Sequence, residues 1–249
     1  MMDCQILELM KNRIKTKESL LQSHGYKSII FVLLTLIAAC NTEHGNVIAW
    51  VNDHPISRSE FKHWMLLERS EVHNYFYRNY NEADSENFWE KKIEGESPLE
   101  MLKRLALEKA VRCKVQQIIA LDKGIVEHID FDRMMEEMQE ENLKRKRKIE
   151  QGEVVYGAKK YTERTFFAHE FDNMLLQLKS ELSKKELKAS DEQLKSLVEN
   201  EDYPLEEYRG FYQLQHVENY YDGFIDSIVK TVDIKIDKQN WSSIKAFFN

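Results

Sequence analysis

A chain of 249 residues with 42% apolar and 32% charged side chains has enough apolar material for one generous domain or two small ones, and too much charge for a membrane bundle. Eight glycines and three prolines leave little turn material, so long helices are expected. Beyond residue 39 the balance is 31 basic against 40 acidic side chains, which argues against a nucleic-acid partner, because phosphate binding needs basic clusters. The three cysteines, Cys4, Cys40 and Cys113, have neither disulfide-like nor zinc-like spacing, and no metal or cofactor is expected.

The first 39 residues read as an export signal. Lys11, Arg13, Lys15, Lys17 and Lys27 make a basic n-region, and Ser28 to Ala39 is an uncharged apolar run too short to span a bilayer. It ends in Leu36-Ile37-Ala38-Ala39-Cys40, which resembles the lipobox of bacterial lipoproteins, with Cys40 as the lipidated residue. Two or more acyl chains would anchor it stably, at ~0.8 kcal/mol for each buried methylene. Residues 40–46 form a polar tether. Its segment from Asn41 to Asn46 reaches on the order of 14 Å as a flexible coil. Localisation at the outer face of the bacterial cytoplasmic membrane follows.

Val47 to Val51 is short and β-prone, and Asn52 to Pro55 is a turn. Ser57 and Glu60 have capping-box spacing, with Ile56 and Phe61 placed for a hydrophobic staple, at the start of a helix to about Tyr80. Asn81 to Gly95 is polar and looser. Ser97-Pro98-Leu99-Glu100 opens the central helix with a second capping box, and Leu107, Val111, Val115 and Ile118 draw its apolar stripe. Gly124 suits a left-handed C-terminal stop, with Ile125 folding back on the last turn.

Residues 51–61, Val-Asn-Asp-His-Pro-Ile-Ser-Arg-Ser-Glu-Phe, resemble the opening of SurA-type and PrsA-type extracytoplasmic chaperones, where a short strand, a VNG-x-x-I-[ST]-x-x-E-[FL] motif and a helix precede a helix ending in Gly-Ile. Leu121 to Ile125 matches that ending, and Asp53 stands where the family has glycine. The resemblance covers residues 47 to 200. It implies a mainly α, SurA N-terminal-like multi-helix domain that binds unfolded or secreted polypeptides.

Asp130 caps a third helix to about Gln151, with Met134, Met135, Met138 and Leu143 on one face, mostly as core against the central helix. Lys144 to Lys148 is basic, but Glu140–Lys144 and Glu141–Arg145 are i,i+4 pairs, so a solvated face is expected. Thr162 caps a fourth helix carrying Phe166, Phe167, Phe171, Met174, Leu175, Leu178 and Leu182. Its Phe166, Phe171 and Leu175, or their neighbours, are expected to cover the central stripe. Ser190 and Gln193 open a short helix by a third capping box, and another helix spans Leu205 to Lys230. In the chaperone family a parvulin isomerase domain follows the short helix; here no residues remain for one near 200–205. Val232 to Ile236 alternates like a strand and is expected to pair with Val47 to Val51 in a two-stranded sheet that ends the domain at 237, leaving 238–249 as a tail.

No catalytic motif stands out. His169-Glu170 lacks the second histidine of a zincin helix, and Cys113 reads as a small buried apolar residue. The helix after residue 57 and the segment following it hold more aromatics than one face needs. Trp64, Tyr75, Phe76, Tyr80, Met134 and Met138 are therefore the candidate client-binding residues. The expected function is a membrane-anchored chaperone-like binder. A peptidyl-prolyl isomerase, as the resemblance allows, and a scaffold lipoprotein for one envelope or export partner are the alternatives.

Overall fold

The computed structural model describes residues 46–82, 87–198 and 204–245. Cys40, the signal segment and most of the tether lie outside them. The elements run β1 (Val47–Val51), β2 (His54–Ser57), α1 (Arg58–Tyr80), α2 (Pro98–Asp122), α3 (Phe131–Glu150), α4 (Glu163–Leu182), α5 (Asp191–Val198), α6 (Leu205–Val229), β3 (Ile234–Ile236) and α7 (Lys238–Ser243). The protein is mainly helical, with a small antiparallel sheet. No helix among the described residues is long and apolar enough to cross a membrane.

The sheet has three strands, in the order β2-β1-β3. The expected pairing of β1 with the C-terminal strand is present, Ala49 opposite Ile236 and Val51 opposite Ile234. The expected count of two was low, because His54 to Ser57 forms a strand where a turn was read. Pro55 escaped recognition as a strand residue because β2 is an edge, where proline's missing N–H costs no ladder bond. The β1–β2 turn is Asn52-Asp53, and Asn52, not Asp53, takes the left-handed conformation, φ 53°. Asn52 also ties in the C-terminal end: its N–H donates to the Asp233 carbonyl at 2.7 Å, and its Oδ1 accepts from the Asp233 N–H at 3.0 Å.

Helix α2 is the central element. Ser97 and Glu100 make the expected reciprocal capping box, with Pro98 in the first turn. At the other end the Gly124 and Ile125 N–H groups bond to the Leu121 and Ala120 carbonyls, both at 2.9 Å, with Gly124 at φ 67°. This is the bonding of a Schellman stop. The helix touches the sheet, α1, α4 and α6. Leu107, Val111, Val115 and Ile118 belong to the main core, but their partners are Ile48, Val51, Ile56, Phe61, Met65 and Phe76 from the sheet and α1. The expected cover of Phe166, Phe171 and Leu175 lies elsewhere: Phe171 packs by Cys113, and Leu175 joins the cluster of Leu178, Val217 and Ile225. A helix buried nearly all round has several apolar stripes, and periodicity alone does not say which neighbour covers which.

Two stretches read as loose are core. Phe88 and Trp89, in the segment between α1 and α2, are buried in the main cluster. Residues 238–243, read as tail, form α7. Ile244 is buried there, the Lys103 ammonium donates to the Trp241 carbonyl at 2.6 Å, and the Trp241 ring meets Phe61 at 5.4 Å. Asn240 Nδ2 donates to the Val47 carbonyl at 2.9 Å, clipping α7 onto β1. A chain ended after Thr231 loses β3 and this clip together. Its melting transition, followed by circular dichroism, should fall cooperatively, by at least about 3 kcal/mol of stability, given what the burial of Ile244 and the packing of half-buried Trp241 contribute.

Candidate functional site

Among the pockets of the described surface that combine apolar walls with polar groups, two are built on α3 and the elements beside it. The geometry behind them begins at α1. Ser57 caps that helix, accepting from the Glu60 N–H at 3.2 Å, but Glu60 does not complete the capping box. Its carboxylate turns inward to the Lys114 ammonium, 2.9 Å away, and the two residues are each 1% exposed. Lys114 also donates to the Ile129 carbonyl at 3.1 Å. One ammonium thus holds together α1, α2 and the segment that leads into α3. Burial pushes the Glu60 carboxyl above its ordinary value, against the pull of Lys114. The Ser59 hydroxyl bonds to Asp132 in the first turn of α3, adding a second tie.

Beside this pair, His63 is buried among Trp64, Phe131 and Phe167, and its Nδ1 lies 2.9 Å from Glu163 Oε1 at the start of α4. Burial lowers the His63 imidazole below its ordinary value, outweighing Glu163, which raises it. Cys113 is buried against Phe131 and Phe167, and burial raises its thiol well above the ordinary range, as expected for a small apolar residue and not a nucleophile.

The first place is a cavity of about 250 Å³ where α2, the 126–129 segment, α3 and α4 converge. Gln117, His128, Met134, Glu137, Glu170 and Phe171 are among its lining residues. The second is a groove of about 750 Å³ along α3, between that helix and the 151–161 loop, with Met138, Leu143, Ile149 and Tyr161 as its apolar lining and Lys146, Lys159 and Lys160 at its rim. Beyond Phe131, no residue of α3 is fully buried. The loop wall is pinned. Asn142 exchanges two bonds with the Tyr161 backbone, at 2.7 and 2.9 Å, and Arg145 donates to the Tyr156 and Ala158 carbonyls at 2.9 and 2.7 Å while lying over the Tyr161 ring. Arg145 also pairs with Glu141 as expected, whereas Lys144 pairs with Glu141 and not with Glu140. The basic run is thus only partly a solvated face, because its arginine holds the loop.

The expected client-binding residues separate. Phe76 is core, where burial closes it to any client, and Trp64 packs edge-on against Phe167. Tyr75 and Tyr80 are exposed and touch each other at the end of α1. Met134 lines the cavity and Met138 the groove. Glu60 was read as a cap residue and not as an ion-pair partner, and His63, Lys114, Gln117 and His128 escaped the sequence reading. A signal existed for Lys114: it sits three residues after Val111 and four before Ile118, a charge inside an apolar stripe, which requires a buried partner. No comparable pattern marks Gln117 or His128. Among the described residues no group of three or more His, Cys, Asp or Glu side chains is placed to hold a metal ion.

Lys114→Met should cost about 3–5 kcal/mol by stranding Glu60, while Glu60→Met with Lys114→Met should recover most of the loss. Urea unfolding of the three variants measures this coupling. His63 gives a pH test. Its folded value lies below the unfolded one near 6.5, so the unfolded chain binds the extra proton, and stability present above pH 6.5 is lost as pH falls below it. Glu60, with a raised folded value, contributes in the opposite sense, so the comparison must be with a variant. His63→Phe suits the aromatic surroundings and should flatten the acid side of the stability profile below about pH 6.5. Comparison of the chain with family models, with curated proteins and with solved structures found no match.

Proposed function

We propose that this protein is a membrane-anchored, extracytoplasmic chaperone-like binder that holds apolar segments of unfolded or secreted polypeptides in the groove along α3, without covalent chemistry. The observation that carries the reading is the groove itself: Leu143 and Ile149 are exposed, Met138 and Tyr161 continue the apolar surface, and the wall is preorganised by Asn142 and Arg145. An apolar segment laid there would gain roughly 25 cal/mol for each Å² removed from water. Methionine and the long lysine side chains adapt to different side chains, which suits varied clients. The SurA-type and PrsA-type resemblance of residues 51–61 and 121–125 points the same way, and the Leu36-to-Cys40 sequence supplies the anchor in this proposal. Helix α5 ends at Val198 and α6 begins at Leu205, which leaves no space between them for an isomerase domain.

The test is suppression of aggregation. The soluble domain should slow light scattering by a chemically unfolded client in proportion to its concentration. Leu143→Asp combined with Ile149→Asp should abolish that effect with the melting temperature unchanged to within about 1 °C, since both side chains are exposed. Equal suppression by the double variant would remove the groove from the mechanism. Mass spectrometry of the mature N-terminus reads the anchor, with a lipid mass on Cys40 as the expected result.

A further inference from the structure

The later turns of α3 and the loop after it carry a charge opposite to that of the whole chain. Residues 143–161 hold seven basic and two acidic side chains, hence a net of +5, in a chain whose net charge is −7. Apart from Glu150, the acidic residues of α3 lie on its earlier turns, from Asp132 to Glu141. Lys144 and Arg145 pair with Glu141, and Lys146 lies 3.8 Å from Glu150. Lys159 and Lys160, at the groove rim beside Lys146, have no ion pair among the described residues. The same loop shows the most exposed large apolar side chains of the described residues: Tyr156 is 86% exposed and Val154 73%. Val155 between them is half-buried, the alternation of an extended segment with one side outward. Neither Val154 nor Tyr156 lines the groove. The loop is nonetheless held, because Arg145 donates to the Tyr156 and Ala158 carbonyls and Asn142 bonds the Tyr161 backbone. Those bonds engage main chain and leave the Tyr156 ring outward.

A projecting tip of this kind fits a partner that is anionic at its face and apolar just beneath it. An anionic bilayer offers both layers: its phosphates attract lysine and arginine, and its headgroup region accepts a tyrosine, whose ring is apolar and whose hydroxyl stays wet. An acidic protein surface offers the charge without the apolar layer behind it. We infer that the 151–160 loop docks on an anionic lipid surface, with Val154 and Tyr156 entering the headgroup layer and Lys146, Lys159 and Lys160 meeting the phosphates. The long lysine stems can lie along the apolar side chains while their ammonium groups reach the phosphates. Glu150 and Glu153 are the opposing charges in this stretch, and seven cations outnumber them. This contact uses neither the groove floor nor Cys40, so it stands apart from client binding and from the lipid anchor.

Amide hydrogen exchange of the full chain, read by mass spectrometry over residues 150–160, tests the contact. The chain is placed on vesicles of phosphatidylglycerol and phosphatidylcholine in equal parts, and separately on phosphatidylcholine alone. Exchange in the loop should slow at least about fivefold on the anionic vesicles and stay at its free rate on the neutral ones. Salt at about 1 M should remove most of the slowing, because the screening length falls to about 3 Å. Val154→Asp combined with Tyr156→Asp, and Lys159→Glu combined with Lys160→Glu, should each return the loop to its free rate. The melting temperature of both variants should stay within about 1 °C of the parent, since all four side chains are exposed. Equal slowing on both kinds of vesicle, no slowing on the anionic ones, or slowing that persists in the variants would overturn the inference. The same slowing by an acidic unfolded polypeptide without lipid would assign the loop to a client and overturn it as well.

Discussion

The ion pair between Glu60 and Lys114 is the constraint on which the arrangement of this protein rests. Two charges at full burial are not a source of net stability, since desolvation consumes most of their attraction. Their effect is registry. The Lys114 ammonium can satisfy Glu60 and the Ile129 carbonyl together only when the start of α1, the middle of α2 and the approach to α3 lie at one relative height. Gln117 is three residues further along α2, and His128 is adjacent to Ile129, so the same ammonium fixes how the α2 and 126–129 walls of the junction cavity meet. A purely apolar contact would tolerate sliding by a fraction of a turn; a forked hydrogen bond does not.

The two candidate surfaces illustrate different uses of one helix. The first turn of α3 is fixed by Phe131 in an aromatic cluster and by Asp132 bonded to Ser59, so the cavity it borders is rigid and polar. The later turns are packed on one side alone, against a loop held by Arg145 and Asn142, and the groove there is wide and apolar. Because the loop is held beforehand, a segment entering the groove does not have to bear the entropy of ordering its wall.

Much of the fold was legible in the sequence because its signals are local. Capping residues at Ser97, Asp130, Thr162 and Ser190 placed four helix starts, and the Gly124-Ile125 stop ended α2. The pairing of β1 with β3 followed from the need of lone strands for partners. What was not legible depends on contacts far apart in the chain. Glu60 was assigned to a cap because its neighbours fit that role, and a lysine 54 positions away in the chain takes it instead. Phe88, Trp89 and Trp241 lie in segments without periodicity, so nothing local distinguishes a core aromatic from a surface one. The cavity was invisible for the same reason: its walls come from separate segments between residues 117 and 174.

The position of β1 at the centre of the sheet has a kinetic consequence. Asn52, at its end, bonds to Asp233, 181 positions later in the chain. Pairing of such high sequence separation closes slowly, because the loop entropy must be overcome before the contact rewards it. A chain that emerges from a ribosome or a translocation pore N-terminus first presents the strand nearest its beginning long before that partner exists. Helix hairpins can form as they appear, but β1 waits with one edge uncovered, a template for any extended segment nearby. The protein therefore passes through a stage in which it has the same need for protection that an unfolded client has.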